Sequence, residues 1–239
     1  MMPKLSIIIC AYNERRTILA AIEQAHTVAL PSGWDKEVIA VDNCSTDGTR
    51  DLLQTVNLPG VRVVFHERNL GKSASILTGI REASGDYALV FDADLEYEAA
   101  DIPRMVAAVT PGKTTAVFGS RTLGGRKIYL YAQNYWAVRF LTALANLLFG
   151  GRLTDIATGP KLVRVDVARS LSLSDHEFDL DFDLPCKLLK HGYTIDEVAV
   201  NYHPRSVAQG KGLAGAKAIR TGLRVLWIYW KVWVSKKEL

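Results

Sequence analysis

The stretch GDYALVFDAD, residues 85–94, decides the fold class of this chain. Five apolar residues after a Gly-Asp pair predict a short buried strand over 87–92. Asp92 and Asp94 lie at its carboxyl end, where open α/β sheets bind their ligands. Two carboxylates so close together are typical of a site for a hard divalent cation, Mg²⁺ or Mn²⁺, because such ions prefer oxygen ligands. The alternative is a solvated acidic loop.

Strand-length apolar runs alternate with helix-length periodic segments along the first half of the chain. The predicted strands are 5–11, 37–42, 61–66, 87–92 and 115–120, and the predicted helices are 15–29, 49–56, 72–83 and 100–109. This alternation indicates an α/β fold, with a mostly parallel central sheet and helices on both faces. The first strand is followed by YNER at 12–15, without the glycines of a dinucleotide-binding turn, which argues against a nicotinamide enzyme.

Length and composition predict a folded domain in a reducing compartment. The 239 residues are 23% charged and 49% hydrophobic, which suits one α/β domain with a full core. The cysteines Cys10, Cys44 and Cys186 have neither zinc-site nor redox spacing, so we expect a cytoplasmic setting. Residues 5–11 read as a first strand and not as a signal peptide.

The carboxyl-terminal part of the chain is basic. Residues 205–239 contain eight Lys or Arg and one acid, a net charge of +7, whereas the preceding 204 residues carry −3. This asymmetry predicts an anionic partner, either a membrane surface or a phosphorylated molecule. A nucleic acid would explain the basic tail but not the acidic pair at 92–94, so we expect no nucleic-acid partner.

Residues 213–239 predict a basic, tryptophan-rich amphipathic helix at a membrane interface. At 100° per residue, one side carries Lys217, Arg220, Arg224 and Lys231, and the opposite side carries Ile219, Leu223, Leu226, Trp230 and Trp233. The apolar side could instead pack against the body of the protein or a second subunit. For the apolar segment 129–151, core packing and interface contact are equally open. Neither segment has the roughly 20 uninterrupted apolar residues of a spanning helix.

Short motifs follow one another along most of the chain in a recognisable order. They are AYNE (11–14), VDNCSTDGT (41–49), NLGK (69–72), FDADLE (91–96), GSR (119–121), TG (158–159), DFD (181–183), GY (192–193) and YHPR (202–205). In order and spacing, residues 5–213 resemble the inverting family-two glycosyltransferases of the GT-A fold, in particular the dolichol-phosphate mannosyltransferase and polyprenyl-phosphate glycosyltransferase branch. The resemblance implies a GT-A catalytic domain over 1–212, with a nucleotide-sugar half (1–122) and an acceptor half (123–212), ahead of the interfacial helix 213–239.

The resemblance also implies roles for individual residues. A sugar nucleotide would be bound by Ala11, Tyr12, Glu14, Asp42, Lys72 and Asp92. The metal, Mg²⁺ or Mn²⁺, would be ligated by Asp94. Asp92 would contact the ribose or a water bound to the metal, and Glu96 would supply a third oxygen ligand. The alternative is that these residues have only structural roles. Asp42 would then be a turn former, Glu14 a carboxylate at a helix start, and Lys72 a solvated helix residue.

Two acceptor chemistries remain open. A hydroxyl acceptor needs a carboxylate to remove its proton, and Asp181 and Asp183 lie where the family places that base. A polyprenyl phosphate is already anionic and instead needs cations to hold it. The candidate phosphate-binding residues are Arg121, Arg126 and Arg205. Of these, Arg121 and Arg205 are counted with the catalytic residues, and Lys211 is a further candidate for substrate binding. The basic tail favours the phosphate.

Two departures from the family pattern leave the substrates open. Asn43 and Cys44 replace a frequent Asp-Gly pair, and TGPK at 158–161 replaces a Ser-Gly-aromatic-Arg run. From the resemblance we expect a metal-dependent inverting enzyme that uses GDP-mannose or a UDP-hexose and is peripheral on the inner face of the membrane. Whether it forms a homo-oligomer or binds a membrane subunit stays open. The alternatives are transfer to a hydroxyl of a cell-wall or exopolysaccharide glycan or lipid, with Asp183 as base, and a non-catalytic sugar-nucleotide-binding subunit.

Overall fold

The computed structural model describes residues 2–125, 131–204 and 216–235. The predictions for Arg126, Arg205 and Lys211 lie outside the described residues, and so do the side chains of Lys217 and Ile219. The strands are β1 (Lys4–Ala11), β2 (Asp35–Asp42), β3 (Val61–Phe65), β4 (Tyr87–Asp92), β5 (Ala116–Ser120), β6 (Lys161–Arg164) and β7 (Ile195–Ala199). The helices are α1 (Ile18–Thr27), α2 (Thr49–Gln54), α3 (Lys72–Glu82), α4 (Ile102–Ala107), α5 (Ala132–Phe149), α6 (Val165–Ser170), α7 (Leu180–Lys190) and α8 (Ala216–Val234).

The described strands form one sheet in the order β3-β2-β1-β4-β6-β5-β7. Only β6 runs antiparallel to its neighbours β4 and β5, so the prediction of a mostly parallel sheet is confirmed. The register places Ala11 beside Asp42 and Cys10 beside Asp92. Strands β1, β2 and β4 therefore end level with one another, and their last side chains lie along a single edge.

Helices cover both faces of the sheet, as the sequence predicts. Successive side chains of a strand point to opposite faces, so Ile7 and Ile9 of β1 join the cluster formed with α1 and α4. Ile8 lies between them and joins the second cluster, formed with α3, α6 and α7. All three isoleucines are fully buried, and each such side chain contributes roughly 1.5–3 kcal/mol of hydrophobic stabilisation.

The predicted elements of the first half are present, with differences at their ends. The helix predicted over 15–29 begins only at Ile18, because the carbonyl of Glu14 first accepts the amides of Thr17 and Ile18 in a turn. The helix predicted over 100–109 is a short 3₁₀ turn, Ala99–Asp101, followed by α4. Strand β4 has the predicted bounds.

A third cluster joins α5, α7 and α8. Helix α8 packs through Val225, Ile228, Tyr229 and Val232, with Cys186 of α7 and Phe149 of α5 among their neighbours. These contact residues are not the ones on the apolar side predicted from the helical period. That predicted side faces outward, since Leu223, Trp230 and Trp233 are 64%, 58% and 58% exposed. The helix thus packs against the body and also presents apolar side chains to the outside.

Helix α5 has the same double character. Thr142, Ala145 and Phe149 are buried, whereas Trp136 and Phe140 are exposed. Among the described helices, none combines the length and the apolar character that crossing a membrane requires.

Candidate active site

The carboxyl ends of β1, β2 and β4 bring the first predicted site residues to one edge of the sheet. Ala11 ends β1, Asp42 ends β2 and Asp92 ends β4. Tyr12 lies just beyond β1, with 46% of its surface exposed. The edge thus combines an exposed aromatic ring with carboxylates, a combination that suits a nucleotide and a cation.

Four alternating charges meet at this edge, and we name them the lysine–carboxylate cluster: Lys72, Asp92, Asp181 and Lys161. Lys72 Nζ lies 2.9 Å from Asp92 Oδ1 and 3.5 Å from Asp181 Oδ2. Lys161 Nζ lies 3.4 Å from the other oxygen of Asp181. The cluster therefore joins the start of α3, the end of β4, the first turn of α7 and the start of β6.

The charges of the cluster stabilise one another against burial. Burial by itself would lower the pKa of Lys72, but the carboxylates of Asp181 and Asp92 raise it well above its ordinary value. Burial would likewise raise the pKa of Asp181, but Lys72 and Lys161 hold it below its ordinary value. Burial lowers the pKa of Lys161 in spite of Asp181. The two lysines thus favour the charged form of Asp181.

The unusual run TGPK packs directly beneath the cluster. Lys161 is 1% exposed, and its ammonium donates to the carbonyl of Thr158 as well as to Asp181. A side chain at Gly159 would overlap Asp92 Oδ2, so only glycine leaves room for that carboxylate. The hydroxyl of Thr158 is buried and makes no hydrogen bond to any residue that the structure describes. Sequence analysis noted this run as a departure but did not place Lys161 in the site.

The acidic turn after β4 has a strained backbone. Leu95 has a φ of 59°, a left-handed conformation that is uncommon for leucine and concentrates at functional sites. Asp94 Oδ1 accepts the amide of Glu96 at 3.0 Å. The side chain of Glu96 is buried and accepts the hydroxyl of Tyr202 at 2.7 Å. Burial and this carboxylate raise the pKa of Tyr202.

The residues at this edge fit a divalent cation that has one or two carboxylates as ligands. In the ranges 2–125, 131–204 and 216–235, no three acidic, histidine or cysteine side chains converge into a metal cage. Mg²⁺ requires no such cage, because it is usually held by one or two carboxylates together with substrate phosphates and water. Asp94 and Asp92 are the predicted carboxylates, and their role as ligands remains a prediction. Glu96 as a third ligand remains a prediction, and it would require the Tyr202 hydrogen bond to break.

Asp42 and Glu14 are held by contacts within the protein. Asp42 is fully buried; its carboxylate pairs with Arg50 Nε at 2.7 Å and accepts the amide of Ser45 at 3.2 Å. Glu14 Oε2 accepts the hydroxyl of Thr17 at 3.1 Å. Their predicted roles in binding base and ribose remain predictions.

A hydrogen-bond network that sequence analysis missed holds the loop before Lys72. Asn43 Oδ1 accepts the amide of Leu70 at 2.9 Å, so the His66 Nδ1 that lies 3.1 Å from the same oxygen must be the donor. His66 Nε2 then accepts the hydroxyl of Thr78 of α3 at 3.0 Å. The side-chain Nδ2 of Asn43 donates to Asn69 Oδ1 at 2.8 Å. Asn43, noted only as a replacement for Asp, therefore anchors the loop that positions Lys72.

Two predicted catalytic residues lie in internal ion pairs. Arg121 is buried and forms a two-pronged pair with Asp155, at 2.7 and 2.8 Å. Asp183 is also buried; it accepts the amide of Ser174 at 2.8 Å and pairs with Lys187 at 2.7 Å. Residues two apart on a helix point about 200° from each other, which explains why Asp181 joins the cluster and Asp183 does not.

Known proteins similar to this chain share its fold and sequence motifs. Residues 6–172 match the family described as Glycosyl transferase family 2. The chain is 28% identical over 217 residues to a dolichol-phosphate mannosyltransferase of Pyrococcus furiosus, covering 87% of this chain and 59% of that protein. It is 33% identical over 112 residues to an undecaprenyl-phosphate 4-deoxy-4-formamido-L-arabinose transferase of Serratia proteamaculans, covering 46% of this chain and 34% of that protein.

A solved structure confirms the predicted GT-A fold. Glucosyl-3-phosphoglycerate synthase of Mycobacterium tuberculosis, in complex with Mn²⁺, UDP and phosphoglyceric acid, superimposes with a TM-score of 0.71 at 20% identity, over 98% of this chain and 80% of that one. The match of residues 6–172 covers well over half of the chain, and it contains the cluster residues Lys72, Asp92 and Lys161. The chain therefore belongs to glycosyl transferase family 2.

Proposed function

We propose that this protein transfers a sugar from a nucleotide-sugar to a membrane polyprenyl phosphate, with inversion at the anomeric carbon. The observation that carries the proposal is the lysine–carboxylate cluster at the carboxyl edge of the sheet. Asp94 follows the cluster residue Asp92 by two positions in the chain. Two relatives are named dolichol-phosphate mannosyltransferase and undecaprenyl-phosphate 4-deoxy-4-formamido-L-arabinose transferase, and these names support a polyprenyl phosphate as the acceptor.

The donor would bind across the ends of β1, β2 and β4. Tyr12 offers an exposed ring for the base, and Asp42 and Glu14 are the candidate residues for the base and ribose. Lys72 would meet the diphosphate, exchanging one of its carboxylate partners for phosphate oxygens. A cation on Asp94 and Asp92 would neutralise the charge that develops on the departing diphosphate. The Mn²⁺ and UDP present in the fold relative support this arrangement.

The carboxylates of α7 favour an anionic acceptor over a hydroxyl. Asp183 is buried and paired with Lys187, so it could act as a base only after losing that partner. Lys72 and Lys161 hold the pKa of Asp181 below its ordinary value in spite of burial, and a carboxylate with a lowered pKa is a weaker base for a hydroxyl proton. A phosphomonoester needs no base, because it already carries the attacking charge.

The outward side chains of α8 support contact with a membrane surface. Trp230 and Trp233 are each 58% exposed, and Arg220 and Lys231 lie exposed on the same helix. Helix α8 contains no acidic residue. Tryptophan beside basic residues is the pattern of a helix that lies in the lipid interface. We place the protein at the cytoplasmic face, where nucleotide-sugars are available.

The experiment compares acceptors that differ by one phosphate. The protein is incubated with Mn²⁺, radiolabelled GDP-mannose or a panel of UDP-hexoses, and either a polyprenyl phosphate or the matching polyprenol. Label is expected in the organic phase with the phosphate and not with the alcohol. Transfer to the alcohol would support a hydroxyl acceptor, and no transfer to either lipid with any donor would contradict the proposal.

A further inference from the structure

Helix α8 is joined to the start of α7 by a two-pronged ion pair. Arg224 Nε lies 3.0 Å from Asp179 Oδ1, and Arg224 Nη2 lies 2.6 Å from Asp179 Oδ2. The guanidinium also stacks on Trp227, 4.4 Å from the centre of the ring. The side chain of Asp179 is only 4% exposed, so loss of Arg224 would leave a buried carboxylate without its ion pair. Paired Arg–carboxylate geometry of this kind fixes orientation as well as distance.

Asp179 directly precedes the helical turn that carries Asp181. Its carbonyl accepts the amides of Phe182 and Asp183, which begins the hydrogen-bond pattern of α7. Its carboxylate also accepts the hydroxyl of Ser174 at 3.1 Å. A displacement of Asp179 would therefore displace Asp181, whose oxygens lie 3.5 Å from Lys72 and 3.4 Å from Lys161.

The same segment is held from its other side by the start of α3. The amide of Ser73 donates to the carbonyl of Glu177 at 2.7 Å, and the hydroxyl of Ser73 accepts the amide of Leu180 at 3.0 Å. A Cβ on Gly71 would lie 3.0 Å from Glu177 Cα, so the two backbones are in close contact. Residues 177–180 are thus clamped between α3, which supplies Lys72, and α8, which supplies Arg224.

We propose that Arg224 is a positioning residue for sugar transfer, and that through Asp179 it fixes Asp181 against Lys72 and Lys161. This role rests on the proposed function, because it assigns to the lysine–carboxylate cluster a part in that reaction. Under this proposal α8, the helix with the outward tryptophans, supports the active site from outside. Arg224 itself touches no reacting atom; it acts through the first turn of α7.

The test separates positioning from simple anchoring of α8. Arg224→Gln removes the ion pair, Arg224→Lys keeps the charge but not the paired geometry, and Ile228→Val loosens the packing of α8 without touching Asp179. Arg62→Gln is a matched control, because it removes the exposed ion pair with Glu82 at the opposite end of the sheet. All variants are assayed in detergent micelles, so that vesicle binding does not enter the rate.

Arg224→Gln is expected to lower kcat by roughly tenfold or more at nearly unchanged KM for the donor, since small misplacements of a positioned group have effects of this size. Amide hydrogen exchange of residues 180–183 is expected to accelerate in the same variant. Arg224→Lys should be intermediate, and Arg62→Gln and Ile228→Val should keep the wild-type kcat. A kcat within about twofold of wild type for Arg224→Gln, or an equal loss for Ile228→Val, would overturn the inference.

Two further outcomes complete the test. If Arg224→Gln does not fold, Arg224→Lys decides: a reduced kcat with a near-normal melting temperature supports positioning, and a wild-type kcat rejects it. Asp94→Asn measured beside these variants separates the two proposals. An inactive Asp94→Asn with a fully active Arg224→Gln rejects the positioning role alone, whereas a fully active Asp94→Asn rejects the proposed function.

Discussion

Lys72 Nζ lies 2.9 Å from Asp92 Oδ1, which joins the first residue of α3 to the last residue of β4. Both groups are largely buried, with 22% and 19% of their side chains exposed. The pair thus brings a fixed positive charge next to the acidic turn at 92–94. An anionic leaving group could bind to Lys72 there, and a cation at Asp92 and Asp94 would then compensate the charge of Asp92.

Replacement of Lys72 tests the positive half of this pair. Lys72→Gln is expected to lower kcat/KM for the nucleotide-sugar by roughly a hundredfold, because one preorganised group for the diphosphate charge is lost. The measurement is steady-state kinetics with the donor varied. Arg62→Gln, in an exposed pair far from this edge, serves as the control. Equal kcat/KM in Lys72→Gln and Arg62→Gln would contradict the assignment.

Asp181 and Asp183 are expected to behave differently, although they are two residues apart. Asp181→Asn should lower kcat by about tenfold or more, because Lys72 and Lys161 lose the carboxylate that orients them. Asp183→Asn should cost about 1–3 kcal/mol of unfolding free energy through weaker bonds to Lys187 and Ser174. Its kcat, measured on folded protein, should stay within about threefold of wild type. A severe loss of kcat in Asp183→Asn would instead support Asp183 as the base for a hydroxyl acceptor.

His66 is expected to make stability depend on pH. Burial lowers the pKa of His66, with smaller contributions from Arg81 and Arg50, so the folded protein holds it neutral. Below the ordinary histidine pKa of about 6.5, the unfolded chain binds a proton that the folded chain does not. This contribution to the unfolding free energy is complete above that pH and declines as the pH falls.

Urea unfolding at a series of pH values between 8 and 5 measures the effect. His66→Gln should flatten the decline on the acidic side, whereas Leu58→Ser, which changes an exposed residue and removes no titratable group, should leave it in place. An identical pH profile for wild type and His66→Gln would rule out this role.

Membrane contact is best tested at the exposed tryptophans of α8. Deletion from Val225 onward would also remove Ile228, Tyr229 and Val232 from the third core cluster, so loss of binding could reflect misfolding. Trp230→Ser combined with Trp233→Ser alters exposed side chains only. We expect at least roughly tenfold weaker binding to anionic vesicles, since each tryptophan would lose its apolar burial. The exposed Leu58→Ser is the control, and unchanged cosedimentation of the double variant would contradict an interfacial α8.

The sequence predicted the parts of the fold that depend on local pattern. Strand β4 is apolar from Tyr87 to Phe91 and ends at Asp92, so its bounds could be predicted without error. Strand β6 escaped prediction because it has four residues and begins with the buried Lys161. Strand β7 contains Asp196 and Glu197, which weaken the apolar signal. Both strands depend on neighbours that are distant in the chain.

The candidate site was only partly accessible to sequence reasoning. Lys72, Asp92 and Asp181 were predicted as site residues, and the structure brings them together. The fourth member of the cluster, Lys161, which pairs with Asp181, could not be found, because a buried lysine in a strand has no sequence signature. The helical period gave the side of α8 that faces outward but not the stripe through which it packs, since that choice depends on α5 and α7.

The turnover of Asp94→Asn tests the central claim most directly. Wild type and variant are compared for transfer of label from the nucleotide-sugar to polyprenyl phosphate, with Mn²⁺ and with excess EDTA. We predict a loss of roughly a hundredfold or more for the variant, and a comparable loss for wild type in EDTA, because the charge on the leaving diphosphate would no longer be neutralised. Near-normal rates in Asp94→Asn with Mn²⁺ would contradict the account.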